Sequence, residues 1–216
     1  MKKSCDTYFY EIARKLGVDR LKITALKFGL GEKVLNKTYS NEKKGLIPNT
    51  QWKKNNLGKG WVIGETLITG IGQGYMQTTP LQLCLMTAQL ANGGYKINPK
   101  ITVNENDETL EDVKYIIEKN SQFAKDIKNG IIEASEQLLN FIKEKKHEPL
   151  YKNPENVKFI LNAMFASTNE VRGTSYRSRI ENPKYQFAGK TGTSQVKRIT
   201  ERDRLLNLKT SEIPYN

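Results

Sequence analysis

Histidine occurs once and cysteine twice in 216 residues, and this scarcity removes several chemistries at the outset. Cys5 and Cys84 form no CxxC, have no histidine beside them and close no short loop, so neither a zinc centre nor a disulfide framework is expected, and both thiols read as small buried side chains. The lone His147 lies in Lys145-Lys146-His147-Glu148-Pro149, a charged stretch suited to solvent and not to a catalytic triad. Any serine chemistry here must therefore use lysine as its base. No apolar run approaches the roughly eighteen residues that a membrane span needs. Met1-Lys2-Lys3 leads into Ser-Cys-Asp instead of an apolar core, so no signal peptide or membrane anchor is expected, and the chain expressed alone would stay cytoplasmic. No metal or cofactor is called for.

Positive charge is plentiful. Thirty-five Lys and Arg against 23 Asp and Glu leave a formal charge of +12. The basic residues are scattered as short pairs (Lys2-Lys3, Lys43-Lys44, Lys53-Lys54, Lys145-Lys146) and gather on no helix face or arm, so a nucleic-acid partner is not expected. With 37% hydrophobic and 27% charged residues, the composition is that of a foldable, somewhat polar globular chain.

Turn and cap signals divide the sequence. Asp6 is placed to cap a helix with apolar positions Phe9, Ile12, Ala13 and Leu16, and Gly17 to end it; a second short helix spans about 19–28 and stops at Gly29. The Gly-, Lys- and Asn-rich stretch 31–64 reads as one long ordered loop. Thr79-Pro80-Leu81-Gln82 is a capping box with Pro at the first helical position. The helix it starts is apolar nearly all round, which predicts complete burial, and Asn92-Gly93-Gly94 terminates it. A strand candidate follows at 95–103, then a polar stretch and a region of helical character to about 146. Asn153-Pro154-Glu155 starts a helix with Val157, Ile160, Leu161, Met164 and Phe165 on one face, and 189–196 has strand character.

Two short constellations carry chemistry. Lys190-Thr191-Gly192-Thr193 combines a cation, two hydroxyls and a glycine, a set suited to gripping a carboxylate beside a reacting carbonyl, with Gly192 letting substrate backbone come close. Ser4-Cys5-Asp6 sets a hydroxyl two residues from a carboxylate at a helix start, where a serine can relay a proton. On spacing alone, plain N-capping by Ser4 or Asp6 is the stronger reading. Gly70-Ile71-Gly72-Gln73-Gly74 matches neither dinucleotide-binding nor phosphate-loop patterns, and phosphate binding is given little weight.

In order and context these pieces resemble the penicillin-binding proteins, whose signature runs SxxK, then an SxN-type motif, then KTG. SCDTYFYEIARKLG resembles the second-motif segment of the penicillin-binding protein 2 branch, with Asp in place of Asn. GIGQGYMQTTPLQLCLMTAQLANGG resembles its Gly-rich loop and core helix, and FAGKTGTSQV its third-motif strand. The resemblance implies an α+β fold, a partial serine-transpeptidase domain over 1–216 with a helical subdomain and an incomplete antiparallel sheet. The expectation is that this domain is truncated at both ends. It implies acyl transfer from the D-alanyl-D-alanine end of a peptidoglycan stem peptide, in cell-wall synthesis and cell shape, with β-lactams as mimics and the inner membrane facing the periplasm as location. By resemblance Ser4 relays protons, Asp6 orders the lysines, Lys190 sets the electrostatics, Thr191 and Thr193 hold the substrate carboxylate, and the Thr193 N–H supplies half an oxyanion hole. The SxxK nucleophile is expected to be absent: Ser40-Asn41-Glu42-Lys43 and Ser194-Gln195-Val196-Lys197 fit the string but stand on the wrong side of the second motif. Alone the chain is therefore expected to be inactive; the alternative is a non-catalytic module that pairs with a separately encoded N-terminal transpeptidase piece.

Overall fold

A computed structural model describes residues 1–35, 39–99, 148–194 and 206. Its order is α1 (Asp6–Leu16), α2 (Val18–Lys27), α3 (Thr50–Leu57), α4 (Ile63–Gly70), α5 (Pro80–Ala91) and α6 (Pro154–Asn169), followed by 3₁₀ turns at Tyr176–Ser178 and Pro183–Tyr185. None of these helices is long and apolar enough to cross a membrane.

The first two helices form as their spacing predicts. Ala13 of α1 is buried, and Gly17 ends the helix at φ 76°, a left-handed value that costs glycine nothing. At the end of α2 the Leu30 N–H reaches the Ala25 carbonyl at 3.0 Å and the Gly29 N–H reaches Leu26 at 3.0 Å, the paired bonds of a Schellman cap. Helix α1 packs across α4, and the contact is tight because both sides are small: a Cβ built on Gly70 would stand 2.4 Å from that of Ala13. The glycine run beginning at Gly70 therefore serves helix packing and the turn that follows it.

The single loop expected over 31–64 is corrected, since it contains α3 and the start of α4. Neither is driven by an apolar stripe. Asn49 Oδ1 caps α3 by accepting from the Trp52 N–H at 3.0 Å, Gly58 closes it in the left-handed region, and Asp19 accepts from the Thr50 hydroxyl at 3.0 Å. Across the loop, Lys53 donates to Glu65 at 2.5 Å with both side chains largely enclosed (7% and 17% exposed), and Glu65 also accepts from the Val62 N–H at 2.9 Å to start α4.

Helix α5 has the expected bounds and the expected box: Gln82 N–H to Thr79 Oγ1 at 3.2 Å, Thr79 N–H to Gln82 Oε1 at 3.1 Å. Its complete burial is corrected. The residues it buries are Gln82 and Gln89, two turns apart on one face, while Leu81, Leu83 and Cys84 are exposed. The glutamines are buried because they satisfy loop backbone. Gln82 Nε2 donates to the carbonyls of Glu32 (2.6 Å) and Lys44 (2.8 Å), and Gln89 joins the Phe28 carbonyl (3.0 Å) to the Ile97 N–H (3.1 Å). Helix α6 starts at an Asn153 cap and buries Val157.

The helical subdomain of the expected α+β fold is thus present. Sheet pairing among the described residues amounts to two antiparallel bridges, Leu46 with Gln77 and Tyr95 with Pro149. Of the candidate strand 95–103, the first residue pairs, while residues 100–103, the helical region to 146 and His147 lie outside the described residues. Residues 189–194 join no ladder among the described residues.

Candidate active site

The N-terminus of α1 is not capped as the spacing suggests. Cys5 takes the N-cap position and its thiol lies 3.1 Å from the Thr7 hydroxyl. Asp6 is the first helical residue and is exposed. Ser4 stands just outside the helix at φ 45°, a left-handed conformation uncommon for a residue with a side chain. Its hydroxyl is therefore aimed away from the helix end, and the capping reading is corrected.

That hydroxyl meets two others. Ser4 Oγ lies 3.1 Å from Thr174 Oγ1 and 3.2 Å from Thr191 Oγ1. Ser4 and Thr191, 187 positions apart, are thus in direct contact. Lys190 folds back on the same threonine, donating from Nζ to the Thr191 carbonyl at 2.7 Å and to its hydroxyl at 3.3 Å. Burial pushes the Lys190 ammonium below the usual lysine range, and the nearby charge of Asp6 opposes that shift. Four of the expected site residues, Ser4, Asp6, Lys190 and Thr191, are gathered here. Gly192 and Thr193 follow in exposed chain, and space is open where a Gly192 side chain would point.

Helix α6 supports this assembly. The Gly189 N–H donates to the Met164 carbonyl at 3.2 Å and Asn169 Nδ2 to the Phe187 carbonyl at 2.8 Å, which fastens the chain just before Lys190. Beyond α6, Thr174 is held to the N-terminal residues by its N–H and its hydroxyl, both donating to the Lys2 carbonyl (3.1 and 3.3 Å). The fully buried Ser167 lies 3.0 Å from the Thr174 hydroxyl. Lys2 and Glu170 form an ion pair on the outer side. Thr174 and Ser167 are the site residues that sequence reasoning passed over. The available signal was Gly173-Thr174-Ser175, a run of small residues shortly after a helix, which marks a turn and says nothing of where its hydroxyls point.

The chain is similar to known proteins over nearly its whole length. Residues 1–207 match the family described as penicillin binding protein transpeptidase domain. The peptidoglycan D,D-transpeptidase MrdA of Acinetobacter baumannii is 32% identical over 209 residues, covering 97% of this chain and 26% of that protein. The protein of the same name from Escherichia coli K12 is 28% identical over 229 residues, covering all of this chain and 31% of that one. The chain therefore spans between a quarter and a third of the length of these relatives. Among solved structures, penicillin-binding protein 2 of Pseudomonas aeruginosa in complex with WCK 5153 superposes with a TM-score of 0.62 at 31% identity, over 91% of this chain and 37% of that one. Penicillin-binding protein 2 of Helicobacter pylori in its complex with MreC gives 0.66 at 25% identity, over 90% of this chain and 29% of that one.

Proposed function

The chain belongs to the penicillin-binding protein transpeptidase family, and from that premise we propose that it carries the proton-relay and carboxylate-gripping part of a peptidoglycan D,D-transpeptidase site, without the attacking serine. The observation that carries this reading is the contact of Ser4 Oγ with Thr191 Oγ1 at 3.2 Å, with Lys190 on the same threonine. A hydroxyl beside a cation is the arrangement a relay needs.

In the proposed reaction a serine supplied by an SxxK segment attacks the penultimate D-alanyl carbonyl of the stem peptide. The ester bond forms, the C–N bond breaks, and the proton removed from the serine passes by way of Ser4 to the leaving D-alanine amine; an acceptor amine then attacks the ester, a new amide C–N bond forms as the ester C–O bond breaks, and the amine's proton returns to the serine oxygen. Asp6 orders the lysines, and Lys190 with the hydroxyls of Thr191 and Thr193 holds the terminal carboxylate. The Thr193 N–H donates to the developing oxyanion, and Gly192 leaves room for the peptide backbone. The reading places the parent activity in cell-wall synthesis and cell shape, at the periplasmic side of the inner membrane.

The two SxxK strings of this sequence do not serve as nucleophile in this reading. Glu42, inside the first, is buried with both carboxylate oxygens accepting from the backbone N–H groups of Val34 and Leu35, so that string is occupied in building its loop. Ser194, in the second, is exposed next to the substrate-gripping residues. A second reading, a module that completes its site with a separately encoded N-terminal transpeptidase piece, is favoured by the exposed apolar side chains of α5.

Fluorescent penicillin tests both. The purified chain is expected to take no covalent label. Co-expression with an SxxK-containing transpeptidase fragment is expected to restore labelling on that fragment, and Lys190→Ala to abolish it. Label on Ser40 or Ser194 of the isolated chain would overturn the assignment.

A further inference from the structure

We propose that Thr174 is a positioning residue for the relay, fixing the Ser4 hydroxyl against Thr191 and setting the direction in which the hydrogen bonds of the site run. The proposal rests on the reading of Ser4 and Lys190 as relay and cation given above.

Donor and acceptor accounting carries it. A carbonyl can only accept, so the Thr174 hydroxyl, 3.3 Å from the Lys2 carbonyl, gives its one proton there. With that proton so placed, Thr174 Oγ1 accepts from both neighbours, Ser4 at 3.1 Å and Ser167 at 3.0 Å. Ser4, having given its proton to Thr174, is left to accept from Thr191 at 3.2 Å. Thr191 in turn accepts from the Lys190 ammonium at 3.3 Å, which has protons and no lone pair. Every bond in the series therefore points away from Lys190 and ends on the Lys2 carbonyl. In the free site Ser4 is held as an acceptor on its Thr191 side and as a donor on its Thr174 side.

Thr174 is well fixed for the task. Ser175 N–H donates to the Ser167 carbonyl at 3.0 Å, and a Cβ on Gly173 would fall 2.2 Å from that same oxygen, so the turn lies flat on the end of α6. The adjoining Arg172 takes φ 67°. Ser4 at φ 45° is held in a sparsely populated conformation by contacts of its hydroxyl and by its N–H to the Met1 carbonyl at 3.1 Å.

The test is the titration of Lys190, followed by the ¹³Cε resonance of the labelled chain, in wild type, Thr174→Val and Thr174→Ser. Valine fills the same volume but ends the series at Ser4, which weakens the polarised acceptor facing the ammonium. With bonds in such a series strengthening one another by ~10–30%, the Lys190 midpoint should fall by about 0.3 pH unit in the valine variant and return in the serine variant. Among the described residues the charged neighbour of Lys190 is Asp6; on the α6 side the series meets the Ser167 hydroxyl, with Lys2 and Glu170 paired to each other beyond it. An unmoved midpoint in a valine variant with a native amide spectrum would overturn the proposal, as would failure of serine to restore it. If the valine variant unfolds, Thr174→Ala, which also ends the series at Ser4, carries the same test: a fall in the midpoint supports the proposal and an unmoved midpoint overturns it. The titration needs no substrate, so a separate arm reads the functional assignment: N-acetyl-D-alanyl-D-alanine should shift the amides of Thr191 and Thr193. Absence of those shifts with the Lys190 effect present would overturn the assignment of substrate and leave the positioning of Ser4 standing; the reverse result would do the opposite.

Discussion

Gly173 shows what one missing side chain does for the site. The nearest atoms to a Cβ at this position are carbonyl oxygens, of Ser167 at 2.2 Å and Ala166 at 2.7 Å, and backbone oxygens at the end of a helix do not move aside as a flexible side chain would. Gly173→Ala should therefore lift the 172–175 turn from α6 and destabilise the chain by ~1–3 kcal/mol, the usual cost of overpacking. Gly60→Ala, where nothing lies within 4 Å of the added methyl, should leave the melting temperature unchanged. Thermal denaturation followed by circular dichroism distinguishes them. The same residue scale shows what was legible. Ser4, Lys190 and Thr191 were visible as types in a known order, because their chemistry is written in their side chains. Thr174 and Ser167 were not, because a hydroxyl becomes part of a site only when the chain folds it toward a partner far away in sequence, and no local pattern records that.

Among the elements, α1 and α2 were legible from their apolar spacing and the glycines that follow them, and α5 and α6 from the caps that start them. Helices α3 and α4 were not, because what fixes α3 is a set of caps and one enclosed ion pair within a stretch that looks like polar loop. That pair makes a prediction. Burial alone would push the Glu65 carboxyl up, but the hydrogen bond and charge of Lys53, the Val62 N–H and the Tyr75 hydroxyl together hold it below the usual glutamate range. A carboxylate whose folded pKa is depressed adds stability that is fully present above its unfolded pKa, about 4.3, and is lost as pH falls through the folded value. Urea midpoints should therefore drop between neutral pH and about pH 3.5 in wild type, and this component of the drop should vanish in Glu65→Gln. At neutral pH the glutamine variant should be less stable by about 2–4 kcal/mol, since Lys53, 7% exposed, would be left without its counter-charge. A glutamine variant as stable as wild type at neutral pH would show that the pair contributes nothing net.

On the scale of the whole molecule, the contradiction between the composition of α5 and its surroundings is informative. A helix with Leu81, Leu83, Leu85 and Leu90 reads from sequence as one enclosed on all sides, and the sequence pattern is insensitive to which part of a protein does the enclosing. In this chain the enclosed positions are the glutamines, which bind loop carbonyls, while Leu81 and Leu83 stay 36% and 44% exposed; Phe159 on α6, a helix in contact with α5, is 70% exposed. Apolar surface of this kind gains roughly 25 cal/mol for each Å² covered, so it favours a partner wherever one of complementary shape is supplied. The chain accounts for 26% of the A. baumannii relative, and an SxxK-bearing transpeptidase segment is the partner that the module reading names. Cys84 stands on the exposed side of α5 and reports on it without further engineering. In the isolated chain the exposed Cys84 should react readily with iodoacetamide. Co-expressed with the SxxK-bearing fragment it should be protected more than about tenfold, while Leu83→Asp should cancel the protection by placing a charge where the apolar contact forms. Mass spectrometry of the two cysteine peptides gives each rate separately. Protection of Cys84 that survives Leu83→Asp would place the partner elsewhere, and equal reactivity with and without the fragment would mean that α5 is not the surface where the two pieces join.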